Sequence, residues 1–165
     1  MATTLNARQQ PLKLLRLGLP GATFTQEGLA ILAEFTSGGM WLSRLKQLAA
    51  RVLAVDALVR RHSFVDTCQL LQQHGIDEQQ AFSITARAYR GGGFTKDYLY
   101  LSGFVAMLRA CQQRCPNNLL VGKAGIEHID ILNELVEREV FVMPKPLVAL
   151  QPDTKKQGEL AYLVR

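Results

Sequence analysis

Apolar residues recur at helical spacing through the middle of the chain. Leu45, Leu48, Ala49, Val52, Leu53, Val55 and Leu58 fall at intervals that keep them on one side of a helix, which predicts one over about Trp41 to Arg61. Before it, Thr23 or Thr25 can cap a helix running to about Ser37, where Gly38 and Gly39 stop it. Ser63 caps a third helix from Phe64 to His74, ended by Gly75, and Asp77 caps a fourth that reaches Tyr89. A fifth spans about Lys96 to Arg114, before Pro116-Asn117-Asn118, and a sixth about Ile126 to Glu139. The fold class is therefore mainly α, about six helices with short loops.

The flanks read differently. Residues 1–6 have no cap and resemble the tail of a helix. Residues 7–22 are punctuated by Pro11, Gly18, Pro20 and Gly21 and read as a loop. Leu12, Leu14, Leu15, Leu17 and Leu19 make that loop apolar, so it should pack across the body of the domain. Leu119 to Gly122 reads as extended or turn-like. Val140 to Leu150, with Pro144 and Pro146, reads as extended. The domain organisation expected is one helical domain over residues 1–150 with a polar, loose tail over 151–165.

Composition narrows the class. The chain has 165 residues, 48% of them hydrophobic, enough to bury one core. Its net charge of +5 favours anionic partners in general, but the basic residues are scattered, with Arg60-Arg61 and Lys155-Lys156 the adjacent pairs. No nucleic-acid-binding signature is present, so nucleic acid is not the expected partner. Three cysteines, Cys68, Cys111 and Cys115, do not make a disulfide framework and read as buried thiols. No apolar run approaches a membrane span and residues 1–10 carry no signal peptide, so the expected location is cytoplasmic, without a membrane partner.

Candidate chemistry lies in two places. Glu27 stands in the first turn of a predicted helix, where a carboxylate is favoured by the helix dipole alone. Gly28 follows it inside the helix at a cost of about 1 kcal/mol relative to alanine, and close approach of a backbone or ligand would account for it. Glu34, seven residues on, shares the face of Glu27 and is either supporting or exposed. The second place is Arg90-Gly91-Gly92-Gly93-Phe94-Thr95-Lys96-Asp97. Its glycines suit an anion-binding nest or a plain helix–helix turn, and Arg90 and Lys96 flank them with positive charge. Tyr100 lies on the face of Lys96. His62, His74 and His128 form no metal-binding pair, and no complete catalytic set is present.

With these segments in view, the chain resembles the flavohaemoglobin-expression-modulating QEGLA-motif family, whose eukaryotic relatives include the microtubule-associated tyrosine carboxypeptidases. The resemblance rests on Leu17-Gly18-Leu19-Pro20-Gly21, Thr25-Gln26-Glu27-Gly28-Leu29-Ala30, Tyr89 to Asp97, and Val121-Gly122-Lys123, and covers about residues 5–150. It implies a gluzincin-like zinc metallopeptidase of carboxypeptidase type. In that pattern a His-Glu-x-x-x-His helix gives two zinc ligands and a general base, and the Glu of Glu-Gly-Leu-Ala, here Glu27, gives the third ligand. Three protein ligands leave an open position where zinc lowers the pKa of water to about 7.

The chain departs from the pattern upstream of Asn6, where the His-Glu-x-x-x-His helix is expected and does not occur. The reading is the C-terminal part of such a protein, a fragment or mispredicted start rather than a truncated relative. Zinc belongs to the complete protein, and this chain alone should be inactive. Arg90 and Lys96 are the candidates for anchoring a substrate carboxylate, with Tyr100 as an oxyanion or substrate contact, the substrate being a peptide or protein C-terminus. The other reading is a non-catalytic regulatory or interaction module that modulates flavohaemoglobin expression. An apolar face left open should favour self-association.

Overall fold

The computed structural model describes residues 2–39, 42–90, 95–152 and 160–163. It is mainly helical, with no strand among the described residues. The α-helices are α1 (Ala2–Ala7), α2 (Leu14–Leu17), α3 (Ala22–Thr36), α4 (Leu42–Val59), α5 (Phe64–Gln73), α6 (Glu78–Tyr89), α7 (Thr95–Gln113) and α8 (Ile129–Glu137). Short 3-10 turns occupy Pro116–Val121, Ile126–His128 and Ala161–Leu163. The six helices expected from the sequence correspond to α3–α8. Trp41, the expected start of α4, Gly91–Phe94 and most of the tail lie outside the described residues.

The chain divides into two compact units, residues 1–39 with 103–165 and residues 40–102. The second unit contains α4, α5, α6 and the first turns of α7. Its core is built on Ala50, Ala54, Leu71, Ile76, Ala81 and Ala88, with Leu53, Ile84 and Tyr89 packed against them. Alanines at these positions let helix backbones come close while still burying apolar surface. The helix starts are local. Ser63 and Asp66 form a reciprocal capping box, with Ser63 Oγ accepting from Asp66 N at 3.1 Å and Asp66 Oδ2 from Ser63 N at 3.2 Å. Asp77 Oδ1 accepts from Gln80 N at 2.9 Å. Gly75 closes α5 at φ 72°, a left-handed conformation that glycine adopts without strain. Phe64 packs edge-on against both Phe82 and Tyr89, and Tyr89 Oη donates to His62 O at 2.7 Å.

The first unit is held by contacts between segments far apart in sequence. Lys123 N donates to Leu15 O (2.9 Å), and Leu19 N donates to Lys123 O (2.8 Å). The two glycine-bearing segments around Gly18 and Gly122 are thus laced together. Gly122 sits under Leu15, where an added Cβ would come within 2.6 Å of the leucine Cβ. The stretch after α8 has no regular structure, yet its backbone is bonded at Val142 and Lys145. Asn6 Nδ2 donates to Lys145 O and Asn6 Oδ1 accepts from Lys145 N, both at 3.1 Å. Gln10 does the same to Val142, with both bonds at 2.9 Å. Two buried side-chain amides thereby do for this segment what a neighbouring strand would do.

Two sequence expectations are corrected here. Neither Thr23 nor Thr25 caps α3, because the helix starts one turn earlier, with left-handed Gly21 at its N-cap and no side-chain cap. Thr25 is instead fully buried, and its Oγ1 accepts from Ile126 N at 2.7 Å. The 7–22 loop contains α2, a single turn too short to show periodicity. Arg16 ties it back by donating to the carbonyls of Ala7 (3.3 Å) and Arg8 (2.9 Å). Of its leucines only Leu15 is buried, while Leu12, Leu14 and Leu17 remain exposed. Leu119 to Val121, expected as extended or turn-like, takes the turn-like form, as the end of a buried 3-10 turn that begins at Pro116.

Candidate functional site

The Gln26–Ala30 segment lies in the second and third turns of α3, inside the first unit. Glu27 is half-buried and Glu34 is half-buried two turns later on the same helix. Gly28 is buried against the backbone of Gly103 on α7. A Cβ on Gly28 would stand 2.5 Å from Gly103 O and 2.6 Å from its carbonyl carbon. The two helices therefore cross backbone to backbone at this point. Gln26 Oε1 accepts from Thr3 Oγ1 at 2.7 Å, which ties α1 to the motif, and Gln26 Nε2 is buried without a partner among the described residues. Beside it is a cavity of about 290 Å³, lined by Thr3, Gln26, Leu29, Ala30, Leu120 and Leu150 among others.

The other candidates belong to the second unit. Arg90 follows the last turn of α6 and is exposed, Lys96 is exposed in the first turn of α7, and Tyr100 is half-buried one turn on. The Arg51 guanidinium lies over the Tyr100 ring, 5.8 Å from its centre. Glu27, Gly28 and Glu34 thus share one unit and one helix, whereas Arg90, Lys96 and Tyr100 share the other unit. The glycines between Arg90 and Lys96 lie outside the described residues.

Sequence reading missed a buried charge cluster next to these side chains. Asp97 is almost fully buried, and Arg87 Nε donates to both its oxygens, at 2.7 and 2.9 Å. Arg51 Nη1 stands 3.8 Å from Asp97 Oδ1. Burial, followed by the charge of Arg87, pulls the Arg51 pKa below its usual value. The signal was legible in retrospect. Arg51 falls between Leu48 and Val55 on the apolar stripe of α4, where a charged residue needs a partner.

Whether the chain's own residues fit a zinc ion turns on the donor set. Among the described residues, no three His, Cys, Asp or Glu side chains are grouped to hold a metal. His74 is engaged at its own helix end, with Nδ1 2.9 Å from Leu70 O, and His128 faces Glu127 at 3.8 Å. Glu27 offers one carboxylate where a zinc site needs three or four donors. The described residues do not make a complete site.

The comparison with known families decides the relationship. A family model described as microtubule-associated tyrosine carboxypeptidase matches residues 1–164. The chain belongs to this family. The match takes in every segment on which the sequence resemblance rested, including the laced pair around Gly18 and Gly122 and the α3 segment around Glu27. The helical fold is consistent with the metallopeptidase-like domain of the microtubule-associated tyrosine carboxypeptidase family. No curated protein and no solved structure matches the chain. No helix among the described residues is long and apolar enough to cross a membrane.

Proposed function

We propose that this chain is the C-terminal part of a zinc metallocarboxypeptidase that acts on a peptide or protein C-terminus, and that it is inactive alone. The family match over residues 1–164 carries this reading. The family's description as a tyrosine carboxypeptidase supplies the substrate class. Glu27 supplies one metal ligand, held on a helix whose position is fixed by the Gly28–Gly103 crossing. Arg90 and Lys96 anchor the substrate carboxylate, with Tyr100 as an oxyanion or substrate contact and Glu34 supporting the metal side. Because the donors present do not complete a zinc site, no hydrolytic step is assigned to them. The same shortage of donors supports a second reading, a non-catalytic module that works by binding a partner.

Metal content tests the proposal. The chain as given should copurify with far less than one zinc per molecule, whereas a protein extended upstream to include a His-Glu-x-x-x-His segment should hold one. Glu27→Ala in the extended protein should lower zinc affinity by more than about 10-fold, the smallest usual cost of losing even an outer partner of a ligand. Stoichiometric zinc on the chain alone would refute its inactivity. Unchanged affinity in the Glu27 variant would remove that residue from the ligand set.

A further inference from the structure

Among the described residues, one corner of the second unit holds more arginines than carboxylates to pair with them. Arg51 on α4 and Arg87 on α6 share Asp97, the one carboxylate that pairs with them among the described residues. The sharing is unequal: Arg87 takes both oxygens at close range, and Arg51 reaches one of them at 3.8 Å. Arg51 Nε is buried with no hydrogen-bond acceptor among the described residues. The rest of the guanidinium is held in place by Asp97 and the Tyr100 ring, and the side chain remains 21% exposed. Arg90 stands three residues after Arg87, on the same side of α6 and in solvent.

These three arginines line one groove of about 590 Å³, with Phe82, Ser83 and Ile84 along its wall. Three guanidinium charges against one carboxylate leave the groove with a surplus of two. Guanidinium is the side chain best matched to planar or tetrahedral oxygen anions, because it presents paired donors in a fixed fork. We infer that the groove lined by Arg51, Arg87 and Arg90 is a binding site for a small oxyanion, a carboxylate or a phosphate, which balances the surplus charge. The site stands on this cluster alone and needs neither zinc nor the peptidase reading. It shares Arg90 with the residues proposed to hold a substrate carboxylate, so an occupant here would also preorganise that side chain.

The test uses the intact, zinc-free chain. Its thermal unfolding midpoint is followed against inorganic phosphate, sodium acetate and sodium chloride at matched ionic strength. A saturable rise with phosphate or acetate beyond the chloride control is expected, and whichever anion gives it names the ligand class. Arg90→Gln removes an exposed charge that has no ion pair among the described residues, so it should fold and bind about tenfold more weakly. Arg51→Lys keeps the charge and loses the fork, and should weaken binding as well. An equal response to all three salts, or a shift undiminished in both variants, would overturn the site. Failure here leaves the peptidase proposal standing, because zinc binding through Glu27 is measured separately.

Discussion

Gly28 and Gly103 are in backbone contact: a Cβ on Gly103 would lie 3.0 Å from Gly28 N and 2.8 Å from Phe24 O. Neither position has room for a side chain, and the obstacle on each side is main chain, which cannot swing away. Gly28→Ala should therefore destabilise the chain by about 1–3 kcal/mol, despite the higher helix propensity of alanine. Gly103→Ala should cost a similar amount. The double variant should cost less than the sum, because one displacement of the helices relieves both clashes. Urea unfolding of the four proteins measures this, and a stabilised Gly28→Ala would show that the crossing is not close.

Thr25 should act as a hydrogen-bond acceptor rather than a cap. Thr25→Val keeps the shape and removes the oxygen that receives Ile126 N–H, leaving a donor unpaired at a cost of about 1–3 kcal/mol. Thr25→Ser should retain most of the stability. Equal stability of the valine and serine variants would contradict the role.

The two amide clamps set the path of the segment after α8. Asn6→Ala and Gln10→Ala each remove two hydrogen bonds to backbone and should each cost about 1–3 kcal/mol. Amide exchange at Lys145 should speed up in the first variant and at Val142 in the second. Unchanged protection at both sites would rule the clamps out.

Asp66 gives the stability a dependence on acid pH. Hydrogen bonds from Ser63 hold its carboxyl below the ordinary value of 3.8. The folded pKa is depressed, so this contribution is complete at pH values above 3.8 and is lost as pH falls through the folded value. In Ser63→Ala the acid side of the stability–pH curve should flatten, and an unchanged curve would remove the capping box as its cause.

Thiol chemistry should separate Cys111 from Cys115. Burial, with a smaller effect of Cys115, raises the Cys111 thiol to about 11, while Cys115 is exposed. A thiol reagent at neutral pH should modify Cys115 in the folded protein and reach Cys111 only on unfolding. Because the folded pKa is raised, the contribution of Cys111 is complete below pH 9.0 and is lost as pH rises towards about 11. Rapid labelling of Cys111 in the native protein would contradict its burial.

The sequence by itself determined the helices whose causes are local. Ser63, Asp66, Asp77 and Gly75 bound α5 and α6 through bonds spanning three to five residues, and the apolar stripe of α4 repeats with the helix period. The motif around Glu27 was also legible, because residue types in a fixed order mark a family without any geometry. Tertiary structure alone decided the rest. Asn6 and Gln10 read as ordinary polar residues until a segment more than 130 residues away brings them a backbone to bind. Thr25 is a plausible cap until Ile126, 101 residues on, claims its oxygen. The place of Arg51 on the apolar stripe of α4 calls for a partner, and Asp97 becomes that partner only when α4 and α7 place them side by side. The physical reason is common to all three. A polar side chain carries its bonding capacity in the sequence, but whether water or a distant partner fills it is settled only when the chain folds.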